Sequence, residues 1–119
     1  MTGALVDAGS GRVLARRVVR ATGPLRRTFG LLGRGALGAD DGMWFDGCAA
    51  VHTVGMRFSI DVVFLDERGA VVRVDAGVAP WRAARCGGGV RTVVELAAGS
   101  CARLGIAAGT RLALQCASP

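Results

Sequence analysis

The chain has no lysine, no asparagine and no tyrosine. Its 15 basic residues are therefore all Arg, and against 9 acidic residues they leave a formal net charge of +6. So complete a bias, in a chain rich in Ala, Gly and Val, reads as the codon composition of a GC-rich genome. Aromatics are scarce as well: Trp44, Trp81 and four Phe. Nucleic-acid binding by stacking needs aromatics set among clustered basic residues. Here the arginines scatter, the closest groups being Arg16-Arg17-Arg20, Arg26-Arg27 and Arg82-Arg85. The expectation is a solvated basic surface and no nucleic-acid partner.

Other absences narrow the field further. No apolar run approaches the roughly 18 residues that span a bilayer, so no membrane span is expected. The opening residues show neither a basic stretch nor an apolar run of leader length, which predicts a cytoplasmic protein with reduced thiols. Cys48, Cys86, Cys101 and Cys116 form no CxxC pair, and His52 is the single histidine. A zinc site would have to gather distant cysteines around His52, so Cys48 and His52 are weak metal candidates. The plain role of each Cys is a small buried hydrophobe. The Gly87-Gly88-Gly89 run is followed by no Lys-Ser/Thr, so it reads as a bent loop, not a phosphate cradle. No cofactor is implied.

What the chain does contain points to strands. Its 119 residues fit one domain, and 51% hydrophobic content supplies a core. The 19 glycines show no triplet period and so mark turns. Gly11 to Thr22 reads as a strand or strand pair. A short helix is predicted near Pro24 to Leu32, with Thr22 or Gly23 as cap and Gly33 as stop. Met43-Trp44-Phe45 reads as a strand ended by Asp46-Gly47. The segment from Val51 to Leu65 reads as one long strand, with Met56, Phe58, Ile60, Val62 and Phe64 on one face. Asp66 to Gly69 turns it into a hairpin with Ala70 to Asp75. Ala79 to Gly89 reads as loop and Val90 to Leu96 as strand. Cys101 to Leu104 reads as a short helix ended by Gly105, and Thr110 to Cys116 as the last strand, with Leu112 and Leu114 inward. Without long crossover helices, the strands should be mostly antiparallel. The predicted fold is mainly β (α+β), a compact small barrel or sandwich with one or two short helices.

Several landmarks then fall in a known order. They are Gly30-Leu31-Leu32-Gly33-Arg34, Met43-Trp44-Phe45, and Thr53 through Asp66. Downstream come Val94-Glu95-Leu96, Ala98-Gly99, Arg103-Leu104-Gly105-Ile106 and Gly109. Over about residues 10 to 115 the chain resembles the domain of unknown function 192 (DUF192) family. The resemblance implies a compact, mainly β domain found in bacteria and archaea, with no agreed activity and so no catalytic residues to carry over. The chain departs from many relatives at Met56-Arg57-Phe58-Ser59, where a Met-Lys-Asn-Thr type segment is common. It departs again at Thr110, where Asp commonly follows the glycine.

Three constellations bear chemistry. Arg57, Ser59 and Asp61 form a polar half-face. Asp61, inside an apolar run, must be hydrogen-bonded, paired with Arg, or lining a cleft. Its readings are a backbone-pinning acceptor, a ligand carboxylate, or a general acid or base. Cys48 with His52 would be a thiol–imidazole pair. Trp44 and Trp81 flank one groove or close the fold from within. Glu95 is a second lone acid in an apolar strand, and a cross-strand Arg57–Glu95 pair would satisfy it. The leading expectation is a non-enzymatic binding or accessory module. Its concave surface would use Trp44, Thr53, Met56, Arg57, Ser59 and Asp61 to hold a small polar ligand or a protein segment. The alternatives are a hydrolytic or thiol-based enzyme using Asp61 or Cys48 with His52, and a structural protein of a larger assembly.

Overall fold

A computed structural model describes residues 2–21 and 36–116; the helix expected near Pro24 to Leu32 lies outside them. The strands are β1 (Thr2–Asp7), β2 (Val13–Ala21), β3 (Asp41–Asp46), β4 (Ala50–His52), β5 (Ile60–Asp66), β6 (Val71–Val78), β7 (Ala83–Arg85), β8 (Val90–Ala97) and β9 (Leu112–Cys116). One helix, α1 (Ser100–Leu104), sits between β8 and β9. No helix among the described residues is long and apolar enough to cross a membrane.

Seven strands form one sheet in the order β6-β5-β8-β3-β2-β1-β9, and β4 pairs with β7 in a second, two-stranded sheet. All pairings are antiparallel except β2 with β3. The connection from Ala21 to Asp41 is long enough for the crossover that a parallel pair requires. The large sheet curls until its outer strands touch at an isolated bridge between Ala70 and Arg111. It does not close into a barrel.

Burial on both faces explains the continuous apolar runs in the central strands. Val63, Leu65, Trp44, Val94 and Leu96 face the concave side, where they pack with Leu5, Val71 and Leu112. Ile60, Val62, Phe64, Met43, Phe45 and Val93 face the convex side. The β4–β7 pair covers part of that side through Val51 and Ala84. Truncating a fully buried Phe45 or Phe64 to Ala would cost about 3–5 kcal/mol by cavity formation.

Two sequence expectations need correction. The segment from Val51 to Leu65 is not one strand. It breaks after His52, turns through Gly55 at φ 81, and resumes at Ile60. The Met56 amide closes that turn on the Thr53 carbonyl at 3.1 Å, and glycine alone tolerates such a φ freely. The alternation was real only from Ile60 onward. Second, β1 and β7 were not foreseen. β7 is three residues long and lies in a Gly-rich stretch, so it carries almost no periodic signal.

Gly69 shows how the curl is fixed. It has φ 80, and a Cβ there would lie 2.5 Å from the Leu112 carbonyl oxygen. The Leu112 amide in turn donates to the Gly69 carbonyl at 2.8 Å. The β5–β6 turn can therefore lie directly on β9 only because residue 69 has no side chain.

Candidate functional site

Asp61 lies on the concave side and is fully buried. Oδ1 accepts the Gly77 amide at 2.9 Å and the Gly99 amide at 3.2 Å, and Oδ2 accepts the Cys101 amide at 2.9 Å. One carboxylate thus ties β5 to β6, to the turn before α1 and to α1 itself. A buried charge is tolerated where backbone donors surround it like this. Burial, then the neighbouring Asp61 charge, pushes the Cys101 thiol up to about 12, so it stays protonated. Cys101 and Ile106 bring α1 over the concave core at this end of β5.

The other sequence candidates do not converge on Asp61. Thr53 is fully buried and works as a clamp. Its Oγ1 donates to the Ala79 carbonyl at 2.7 Å and accepts the Arg82 amide at 2.8 Å. Met56 is buried in the convex cluster. Arg57 is exposed and Ser59 half-buried in the turn before β5. Trp44 lies on the concave side, in register with Val94 near the middle of β8 and not with Leu96, which pairs with Asp61. Cys48 donates its thiol to the Ala50 carbonyl at 2.9 Å. His52 is exposed, and its Nδ1 accepts the Val54 amide at 3.3 Å. Among the described residues, no three His, Cys, Asp or Glu side chains converge as metal ligands would.

Glu95 is the second buried acid and the opposite case. It stands on the convex side, in register with Met43 on β3 and Val62 on β5. No hydrogen-bond or ion-pair partner is found for it among the described residues, and the expected Arg57–Glu95 pair is not formed there. Desolvation alone raises its carboxyl to about 8.

The register locates a cleft. Leu96 pairs with Asp61 at one end of β8, whereas Thr92 pairs with Leu65 and Asp46 at the other. At this second end the curled sheet opens into a cleft of about 300 Å³. Arg20, Trp44, Asp46, Arg68, Thr92 and Leu114 are among its walls. The Trp44 indole Nε1 donates to Asp46 Oδ1 at 2.9 Å, and Arg20 Nε bonds Asp46 Oδ2. The Arg20 bond, aided by the indole and opposed by partial burial, holds the Asp46 carboxyl below its ordinary range. A carboxylate, a guanidinium and an indole are therefore locked in one orientation. Sequence reading singled out Trp44 but missed Arg20 and Asp46, because β2 and β3 are brought together only by their parallel pairing.

A curled β domain with the short helix α1 over its concave core, and a polar cleft at its open end, is the class that fold and site define. The model of the DUF192 family, described as uncharacterized ACR, matches residues 6–114. The chain belongs to that family. It is similar to a "putative transcription regulator" from Sinorhizobium meliloti 1021, with 29% identity, a TM-score of 0.80, and coverage of 93% of this chain and 90% of that one. It is also similar to a protein of unknown function from Novosphingobium aromaticivorans DSM 12444, with 22% identity, a TM-score of 0.75, and coverage of 95% and 84%. A "Putative exported protein" from Burkholderia pseudomallei K96243 matches at 22% identity and a TM-score of 0.50, over 96% of this chain but 24% of its own. No curated protein matches the chain.

Proposed function

We propose that this domain is a non-enzymatic binding module and that its ligand enters the cleft beside Trp44. The carrying observation is the fixed triad of Arg20, Asp46 and Trp44 in a concavity of about 300 Å³. Such a site suits a small polar molecule, or the polar tip of a protein segment, that both donates and accepts hydrogen bonds. Asp61 contributes from a distance, by holding α1 and the opposite end of the sheet in place. The enzymatic alternatives draw less support. The oxygens of Asp61 are committed to backbone amides, and Cys48 and His52 each bond to local backbone.

The test is a thermal-shift screen of small polar metabolites on the wild type, Asp46→Asn and Trp44→Phe. Ligands of the cleft raise the wild-type melting temperature and lose that effect in both variants. Shifts that persist undiminished in both would place the ligand elsewhere.

A further inference from the structure

We propose that Trp81 and the arginines around it form a docking surface for a carboxylate-rich segment of a partner protein. This surface lies over the convex side of the sheet, away from the cleft, so it stands or falls independently of the ligand proposed above.

Three observations carry it. First, Trp81 is 66% exposed and is the one exposed aromatic among the described residues. Val54, 44% exposed, adjoins the same clamp residue, Thr53. Trp is a frequent anchor at interfaces and is rarely left in water.

Second, Trp81 has φ 63, the one positive φ among the described non-glycine residues. A bulky side chain takes that conformation only when its surroundings enforce it. Thr53 does so from both sides. Its carbonyl accepts the Trp81 amide at 2.9 Å, and its amide donates to the Arg82 carbonyl at 2.8 Å. Its Oγ1 bonds Ala79 and Arg82 as well. The chain is thus held in a strained bend whose product is an indole presented to solvent, already ordered before any partner arrives.

Third, the segments that carry it are basic. Neither 47–60 nor 76–94 contains an Asp or Glu. Arg57, Arg82 and Arg85 are all exposed there, and the Asp75 carboxylate that approaches Arg85 is held by Arg73, which also donates to the Arg85 carbonyl at 2.6 Å. Pairing of β4 with β7 sets His52 opposite Ala83, and so places the turn after β4 beside Trp81 and Arg82. An acidic segment with an apolar residue matches this arrangement, the guanidiniums taking carboxylates and the indole the apolar side chain. A single strand of nucleic acid fits less well, because a lone aromatic offers no series of stacking platforms.

Fluorescence anisotropy on the full chain tests the idea with three labelled probes: a short peptide alternating Glu and Leu, its Lys–Leu counterpart, and a short oligo(dT). Trp81→Ala, Trp81→Gly and Arg82→Ala are compared with wild type after their melting temperatures are checked. The glycine variant suits the positive φ and guards against misfolding of the alanine one. The Glu–Leu peptide should bind wild type, weaken with salt, and lose about tenfold or more in affinity in each variant, as truncating a hot spot does. Equal affinity in wild type and variants overturns the proposal, as does equal binding of the Lys–Leu peptide. Oligo(dT) binding that depends on Trp81 and exceeds that of the Glu–Leu peptide overturns it in favour of nucleic acid.

Discussion

The Asp61 carboxylate accepts the Cys101 amide at 2.9 Å across 40 positions of sequence, joining β5 to the helix that covers the concave core. With the Gly77 and Gly99 amides also on that carboxylate, one side chain organises the end of the sheet opposite the cleft. Asp61→Ala leaves three backbone donors without their acceptor. It should destabilise the fold by on the order of 3 kcal/mol or more, measured by urea denaturation. Asp61→Asn keeps one acceptor oxygen and should fall between. An alanine variant as stable as wild type would show that the carboxylate is not a strut.

Glu95 predicts the pH dependence. Its carboxyl is raised from 4.5 to about 8 by desolvation. Between those values the folded chain holds a proton that the unfolded chain has released. Stability from this group is therefore fullest below about 4.5 and declines as pH climbs through about 8. The total change is on the order of a few kcal/mol. Urea midpoints taken from pH 5 to pH 9 should fall in wild type and stay flatter in Glu95→Gln. Parallel curves for the two proteins would contradict this assignment.

Thr53→Ala removes the hydroxyl that bonds both Ala79 and Arg82. The expected loss is about 1–3 kcal/mol, since a part-buried carbonyl and amide lose their partner. Faster hydrogen exchange should appear at Arg82, whose amide that hydroxyl accepts. Unchanged protection there would mean that the clamp lies in the backbone alone.

Glycine substitutions separate close approach from open space. Gly69→Ala meets both a φ of 80 and the Leu112 carbonyl, and should cost about 1–3 kcal/mol. At Gly87 a Cβ meets nothing within 4 Å, so Gly87→Ala should stay within about 0.5 kcal/mol of wild type.

Most of the sheet was legible in the chain, and the reasons are local. β5, β6 and β8 declare themselves by apolar runs and by the Asp66–Gly69 turn, where alternation and turn chemistry agree. The stretch from Thr53 to Ser59 misled because its apolar residues continue the alternation while Gly55 and the Thr53 hydrogen bonds bend the chain. Thr53 shows nothing of its role in sequence, since its partners at Ala79 and Arg82 lie 26 and 29 residues away. Asp61 was recognisable as an acid requiring partners, although not which amides would supply them. The cleft was largely illegible. Arg20 looks like one scattered arginine among fifteen until β2 lies parallel to β3 and sets it across from Trp44.

The most direct check on the cleft is the indole resonance of Trp44 in a two-dimensional nitrogen–proton NMR spectrum, recorded while a compound selected by thermal shift is titrated in. Occupation of the site beside Asp46 should move that cross-peak together with the amides of Asp46 and Thr92, in proportion to saturation. If the selected compounds perturb other surfaces and leave the Trp44 indole where it was, the cleft is not the ligand site.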